Sequence, residues 1–364
     1  MKKCVALAGV ILLFLFLRSQ SALSASSEDA EVNQVPIVVA ELDQGPGNLT
    51  VTPDGEIIVS LHQFYGHDTR VAVLGDDGQL LPFAEAANIN SALGLQADTA
   101  GRLWLLDNAM RGGERPRLIA WELAGDRVVA DIELSSVALA DSFLNDLAVD
   151  AEQGVVYIAD PAGGANAAII VVNLEDGSAR RLLQGHSSVV PEDMDLVIDG
   201  TPVRIKLDDG SEIRPRIGVN PIAIDSTGEW LYYGPMHGTA MYRIPTDALR
   251  DVSLSAEELA SRVERFADKP ISDGISIDDA GNIYLGDLGA NAIGVISAEG
   301  VYQTWISDPQ FSWIDAFSFG PDGYLYTVAN QLHLSAVLNG GVAATEPPFL
   351  IIKLKPLADG TTGR

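Results

Sequence analysis

An all-β, six-bladed β-propeller closed by strands from both termini is the fold this chain of 364 residues predicts, and three observations predict it. One pattern recurs six times, more weakly in its first two copies: a polar residue, a short alternating apolar strand, a turn rich in Asp and Gly, and a second strand rich in aromatic residues. The copies begin at positions 47, 93, 145, 220, 273 and 315, so four of the five intervals lie between 42 and 53 residues. Repeats of about 40–50 residues made of short strands mark propeller blades. The third observation is that the last copy supplies only "AFSFG", "YLYTV" and "FLIIKLKP", one strand short of a blade, whereas "VPIVVAEL" precedes the first copy as an unassigned strand. Residues 36–42 are therefore expected to pair with residues 349–355.

The elements follow in order. Lys2 and Lys3, the apolar run Cys4–Leu17 and the small residues of "SALSAS" read as a secretory signal over residues 1–25, too short to span a bilayer comfortably. Its removal takes the only cysteine, leaving residues 26–364 without a disulfide, a thiolate ligand or a cysteine nucleophile. It also moves the formal net charge from −27 to −30, because Lys2, Lys3 and Arg18 leave and no acid does. Such a surface repels nucleic acid and anionic lipid, and it concentrates cations near an acidic cleft. The product is expected to be secreted or periplasmic, a single propeller domain with no membrane insertion once the signal is cleaved. Composition says nothing of its oligomeric state.

The copies are "GNLTVTPDGEIIVSL" from Gly47, "LGLQADTAGRLWLLD" from Leu93, "NDLAVDAEQGVVYIAD" from Asn145, "NPIAIDSTGEWLYYGP" from Asn220, "DGISIDDAGNIYLGD" from Asp273 and "DAFSFGPDGYLYTVAN" from Asp315. Period-2 alternation with Val, Ile, Tyr and Trp gives the strands, and the Gly-containing turn gives each hairpin. Two insertions interrupt the series. Residues 184–216 carry two Asp-Gly turns between β-prone runs and read as a projecting hairpin that could cap the channel. "SLSAEELASRVERFADK" reads as a helix, with Ser255 and Glu258 as a capping box and Leu259, Val263 and Phe266 as its apolar stripe.

A residue that recurs in every copy usually serves the copy. Asp98, Asp150, Asp225 and Asp278 end the first strands, where a carboxylate satisfies turn amides. Asp107, Asp160 and Asp287 end second strands and are read in the same way. The start of the first strand differs, because it lies at the channel mouth and carries Asn145, Asn220, Asp273 and Asp315 in four of six copies. These oxygens converge on one axis and suit a hard divalent cation, calcium or magnesium; hydrogen bonding to waters and backbone is the alternative. His62, His237 and His333 follow second strands and so lie on the channel side. Their spacing matches no zinc motif. There is no G-x-S-x-G elbow, no phosphate loop and no dinucleotide fingerprint, so no nucleotide cofactor is expected.

The segments "RIGVNPIAIDSTGEWLYYGPMHGTAMYRIPT", "ISDGISIDDAGNIYLGDLGANAIGVI", "DAFSFGPDGYLYTVANQLH" and "PPFLIIKLKP" together resemble the bacterial branch of the major royal jelly/Yellow protein family. The resemblance implies a secreted six-bladed propeller, associated with dopachrome-type conversion, with binding of amines or other small ligands, or with no activity. More distantly the repeat resembles the senescence-marker-protein/gluconolactonase propellers, which implies a divalent metal held by Asn145, Asn220 and Asp273. There Gln44, in "DQGP", stands where those proteins have a Glu ligand. Two functions follow. One is a small-molecule binder for an aromatic amine or catechol derivative, with Phe64, Tyr65, Phe311 and Trp313 stacking on the ligand, Asp315 pairing with its ammonium, and His62 and His237 contacting it. The other is an enzyme, a tautomerase or a metal-dependent lactone hydrolase, with Asp273 as its base.

Overall fold

Each copy of the repeat folds into two antiparallel strands, and two further strands complete a four-stranded sheet; six such sheets make the molecule. The computed structural model describes residues 35–364 except 111, 112, 114 and 208, so the signal expected over residues 1–25 lies outside the described residues. The inner strands are Pro46–Val51, Ala92–Ala97, Leu147–Asp150, Val219–Ile224, Ile275–Ile277 and Ile314–Phe319, one per blade. Each packs against the inner strands of the blades before and after it, closing a ring of six blades. Blade 6 is completed by Ile37–Leu42, which pairs antiparallel with Phe349–Leu354, so strands from both ends of the chain close the ring as the short sixth copy predicts.

Burial explains the residue pattern. The inner strand Ala92–Ala97 is buried along its whole length because blades flank both faces, whereas the outer strand Arg127–Glu133 alternates between half-buried and exposed. Six apolar clusters fill the gaps between successive blades. The D-x-x-G turns are locked by their own second strands. Asp98 accepts the Ala100 and Arg102 amides and, at 2.9 Å, the Trp104 indole N–H; Asp278 accepts the Ala280 and Asn282 amides and, at 2.8 Å, the Tyr284 hydroxyl. In blades 2 and 5 the turn aspartate and the aromatic six residues later therefore form one unit. Asp107 and Asp160 are likewise held, by Arg117 at 3.0 Å and Arg181 at 2.5 Å.

At the channel the inner strands approach closely. A Cβ on Gly94 would lie 2.7 Å from the Asn145 carbonyl oxygen, and one on Gly274 would overlap the Asp315 carbonyl, so only glycine fits there.

Two expectations are corrected. The helix read over residues 253–269 is a single turn, Ala256–Ala260, with the capping box in place; the chain then extends as Glu264–Asp268, the outer strand of blade 4. Phe266 therefore stacks edge-on at 5.1 Å against Tyr232 instead of lining a helix. Blade pairing outweighed a helical pattern that the single strong cap had suggested. The insertion at 184–216 holds two small ribbons, Val197–Ile198 with Thr201–Pro202 and Ile205–Lys206 with Glu212–Ile213, in place of one hairpin. Arg204 bridges to Asn339, and Leu196, Ile198 and Val203 pack with Met236, Trp313 and Leu332 beside the channel mouth.

Candidate functional site

A cavity of about 320 Å³ opens at the channel mouth, where the inner strands begin. Its floor carries Asn145, Asn220, Asp273 and Asp315, so the four start-of-strand residues do meet at one place. They are linked by hydrogen bonds: the Asn145 amide donates to the Asn220 carbonyl oxygen, the Asn220 amide donates to Asp273 Oδ1, and Trp313 Nε1 donates to Asp273 Oδ2 at 2.8 Å. Asn220 and Asp273 are 4% and 5% exposed. Trp313 has φ of 60°, a conformation costly for a bulky residue, and its indole stacks at 6.0 Å on His333. Strain at the residue that orients Asp273 is what a constrained site produces.

Asp315 accepts the Asn330 amide at Oδ2, 2.8 Å away, and Asn330 is held in turn by the Pro46 carbonyl and the Tyr65 hydroxyl. A third carboxylate, Asp146, shares the floor; it accepts the Asn48 amide at 3.1 Å and the Leu147 N–H at 2.9 Å, both at Oδ1. No described residue donates to Asp146 Oδ2 or to Asp315 Oδ1. Burial pushes Asp146 up to about 7, with Asp273 adding to the rise. Burial also raises Asp273, against the pull of Trp313, Asn220 and Lys269, and it raises Asp315, reinforced by Asp273 and Asp146. One cation stands behind them. Lys269 is buried, donates to the carbonyls of Gly238 (3.1 Å), Pro270 (3.0 Å) and Met236 (3.4 Å), and is lowered to about 7 by desolvation.

Sequence reading missed Asp146 for a structural reason. The Asn145 N–H donates to the Ala159 carbonyl while the Ala159 N–H donates to the Asp146 carbonyl, so two residues oppose one. This bulge breaks the strict alternation and brings two consecutive side chains to the cavity. Register irregularities at the start of four other inner strands show the same habit. The polar pair in "ND" was the available signal.

Of the residues expected to contact a ligand, His62, Phe64, Trp313 and Asp315 line the cavity, whereas Tyr65 and His237 do not. Tyr65 lies over Gly45, where a Cβ would overlap its ring, and spends its hydroxyl on the Asn330 carbonyl. His237 is fully buried, accepts the Ile217 N–H at 3.3 Å, and is lowered to about 4 by burial. Both follow second strands, Tyr65 in the turn Gln63–Tyr65 and His237 just after Trp230–Pro235, and each ring is committed to protein neighbours in place of the cavity. Phe311 is also buried off the cavity, in the cluster between blades 5 and 6. The rest of the wall is mostly apolar, with Phe143, Met236 and Leu338 among its residues and Asp141 and Ser142 as its polar part, and Ile205 of the insertion reaches it from above.

The floor fits a divalent cation only in part. Its side-chain oxygens are of the hard type such an ion takes, but both oxygens of Asp273 and the oxygen of Asn220 already accept hydrogen bonds. Gln44 is not part of the wall. Among the described residues no cluster of three or more His, Cys, Asp or Glu side chains is arranged to hold a metal. The open oxygens are those of Asp146 and Asp315, so an ion would be held by those carboxylates and by rearranged Asn145 and Asn220 amides.

Residues 90–310 match the family model described as major royal jelly protein. The chain belongs to that family. Major royal jelly protein 1 of Apis mellifera is 23% identical over 268 residues, covering 66% of this chain and 59% of that protein; major royal jelly protein 3 of the same organism is 22% identical over 239 residues, covering 62% and 42%. The chain thus spans well under two thirds of the length of these relatives. Among solved structures, the calcium-binding protein regucalcin of Agrobacterium tumefaciens superposes with a TM-score of 0.56 at 16% identity, covering 91% of this chain and 98% of that one. A gluconolactonase of Xanthomonas campestris gives 0.54 at 14%, covering 89% and 90%. At such identities the likeness is one of fold. No helix of this family member, among the described residues, is long and apolar enough to cross a membrane.

Proposed function

We propose that this major royal jelly family protein is an exported ligand-binding propeller whose mouth cavity takes a small aromatic molecule carrying an ammonium group, an aromatic amine or catechol derivative. One observation carries the reading: two carboxylate oxygens without a protein donor, on Asp146 and Asp315, sit at the floor of a cavity with largely apolar walls. Carboxylates removed from bulk water need a cation or a proton to offset their desolvation, and an ammonium on an aromatic body satisfies floor and walls together. Phe64, Phe143 and Trp313 supply ring faces. Tautomerase-type turnover belongs to this reading as well: Asp273, the expected base, takes a proton from one carbon of a bound catechol derivative, and a protonated Asp146 or Asp315 returns one to an oxygen. The net charge of −27 sets nucleic acid aside as a partner.

A second reading, a divalent-metal site of the lactonase kind, rests on the hard oxygens that Asn145, Asn220, Asp273, Asp146 and Asp315 bring to one floor, and it requires the Asn145 and Asn220 amides to turn from their present hydrogen bonds. Calorimetric titration with dopamine, tyramine, calcium and magnesium separates the two. The first reading expects heat with the amines that is lost in the Asp146→Asn/Asp315→Asn variant; absence of heat with both amines at about pH 8, above the value of about 7 to which Asp146 is raised, ends it. Saturable calcium or magnesium heat that vanishes in Asp273→Asn favours the second.

A further inference from the structure

The opposite end of the channel is closed by the chain itself. After the last strand of blade 6, Phe349–Leu354, residues 357–364 turn inward and enter the channel from the side away from the cavity. Their contacts go round the ring. In blade 1 the Thr50 hydroxyl donates to the Gly363 carbonyl at 2.9 Å. In blade 2 Gly363 lies so close to the Ala97 carbonyl that a Cβ would overlap it. Arg364 donates to the Val149 carbonyl of blade 3 at 3.4 Å and to the Asp225 carbonyl of blade 4 at 3.0 Å. For blade 5, the Leu357 N–H donates to the Tyr284 hydroxyl at 2.7 Å and the Asp279 N–H to the Asp359 carbonyl at 2.8 Å. In blade 6, the Gly363 N–H donates to the Phe319 carbonyl and the Phe319 N–H to the Arg364 carbonyl.

We propose that residues 357–364 act as a hub that clasps all six blades from inside the channel and seals the end away from the ligand cavity. A strand pairing such as Ile37–Leu42 with Phe349–Leu354 closes the ring at one seam only. The hub is different, because it bonds to the ends of inner strands that otherwise touch just their two neighbours. Those neighbours are joined by few bonds of their own: the Val51 N–H donates to Ser318 Oγ, the Ala97 N–H to Thr50 Oγ1 and the Val149 N–H to Gln96 Oε1. Thr50 serves both sets, accepting from blade 2 while donating to Gly363. Between the hub and Asp146 remains a chamber of about 40 Å³, lined by Gly363, Arg364, Gln96 and Ser276, whose buried hydroxyl has no protein partner. A polar space of that size has room for a water, which the hub would hold beneath the floor acids.

The test is amide hydrogen exchange on the full chain carrying Gly363→Ala or Arg364→Ala. Alanine at Gly363, with φ of 89° and no room for a Cβ, drives the hub from the channel. The expected result is exchange at the Val51, Ala97 and Val149 amides that is at least about tenfold faster, with the Ile351 amide of blade 6 unchanged. Arg364→Ala should give a smaller acceleration centred on Val149, because it removes only the contacts to blades 3 and 4. Acceleration confined to Phe319, whose amide bonds the hub directly, would overturn the proposal. Should Gly363→Ala not fold, Arg364→Ala decides: an unchanged Val149 amide overturns the clasp and a faster one upholds it.

Discussion

Two groups of aspartates stand at opposite ends of the inner strands, and they differ in how many donors each finds. Asp98 and Asp278, at the turns, are saturated by backbone amides and an aromatic N–H or O–H. Asp146 and Asp315, at the mouth, each leave an oxygen without a protein donor, and burial raises both. One residue type in one repeat thus serves the fold where donors are in surplus and serves binding where they are short. The Asp273 carboxylate lies between the extremes, with two side-chain donors and a raised pKa.

The comparison breaks most visibly at a turn. Asp98→Ala leaves the Trp104 indole N–H and two turn amides without their acceptor in a site 5% exposed. A loss of about 3 kcal/mol of stability is expected, with amine affinity unchanged. Denaturant unfolding and calorimetry on the same variant measure both. A large change in affinity with little change in stability would erase the distinction between the two groups.

At the mouth the expected effect is on affinity and depends on pH. A bound ammonium favours the ionised carboxylate, so it lowers the pKa of each floor acid and binding releases protons. Affinity should therefore rise with pH, and Asp146, raised to about 7, should dominate the change between pH 5 and 8. If the complex needs Asp146 ionised, the gain over that range approaches a hundredfold, because each unit below the pKa costs a factor of ten. Lys269, lowered to about 7, loses its competing charge over the same range and acts in the same direction. Asp146→Asn should flatten the profile, leaving the part due to Asp273, Asp315 and Lys269. A flat profile in the wild type would mean that the floor acids do not meet the ligand.

How far the sequence reveals these differences depends on periodicity. The ring, its six inner strands and its closure by Ile37–Leu42 follow from an alternation the chain keeps in every copy. Asn145, Asn220, Asp273 and Asp315 were legible because they hold the same place in successive copies. Asp146 was not, since the bulge at Ala159 sets it out of phase. Tyr65 and His237 are absent from the cavity wall because a place just after a second strand does not orient a ring in the loop that follows. The outer strand Glu264–Asp268 was hidden by the strong cap at Ser255, a local signal that extends only one turn. The hub at 357–364 had no signal at all: its hold on the blades is through backbone groups and one arginine, which composition does not register.

A smaller effect comes from Asp315→Asn. The asparagine can keep the bond from Asn330 by presenting its oxygen, so the fold should be retained, while the charge facing the ammonium is gone. Affinity for dopamine should fall at least about tenfold, ~1.4 kcal/mol. Binding that is unaltered across the pH range would remove Asp315 from the site.

The smallest expected effect separates residues that touch the ligand from those that hold its neighbours. Tyr65 stands one layer behind the floor, with its hydroxyl on the Asn330 carbonyl and Asn330 in turn on Asp315. Tyr65→Phe keeps the ring over Gly45 and against Phe349, 5.3 Å away, and deletes only that hydrogen bond. Stability should fall by about 1 kcal/mol, the net worth of one such bond. The ring is absent from the cavity wall, so dopamine affinity should change by less than about twofold, below the ~1.4 kcal/mol that marks a tenfold step. A stable variant that binds tenfold more weakly would put the Tyr65 hydroxyl on the ligand, and would mean that the cavity reshapes around its occupant to bring the second layer into contact.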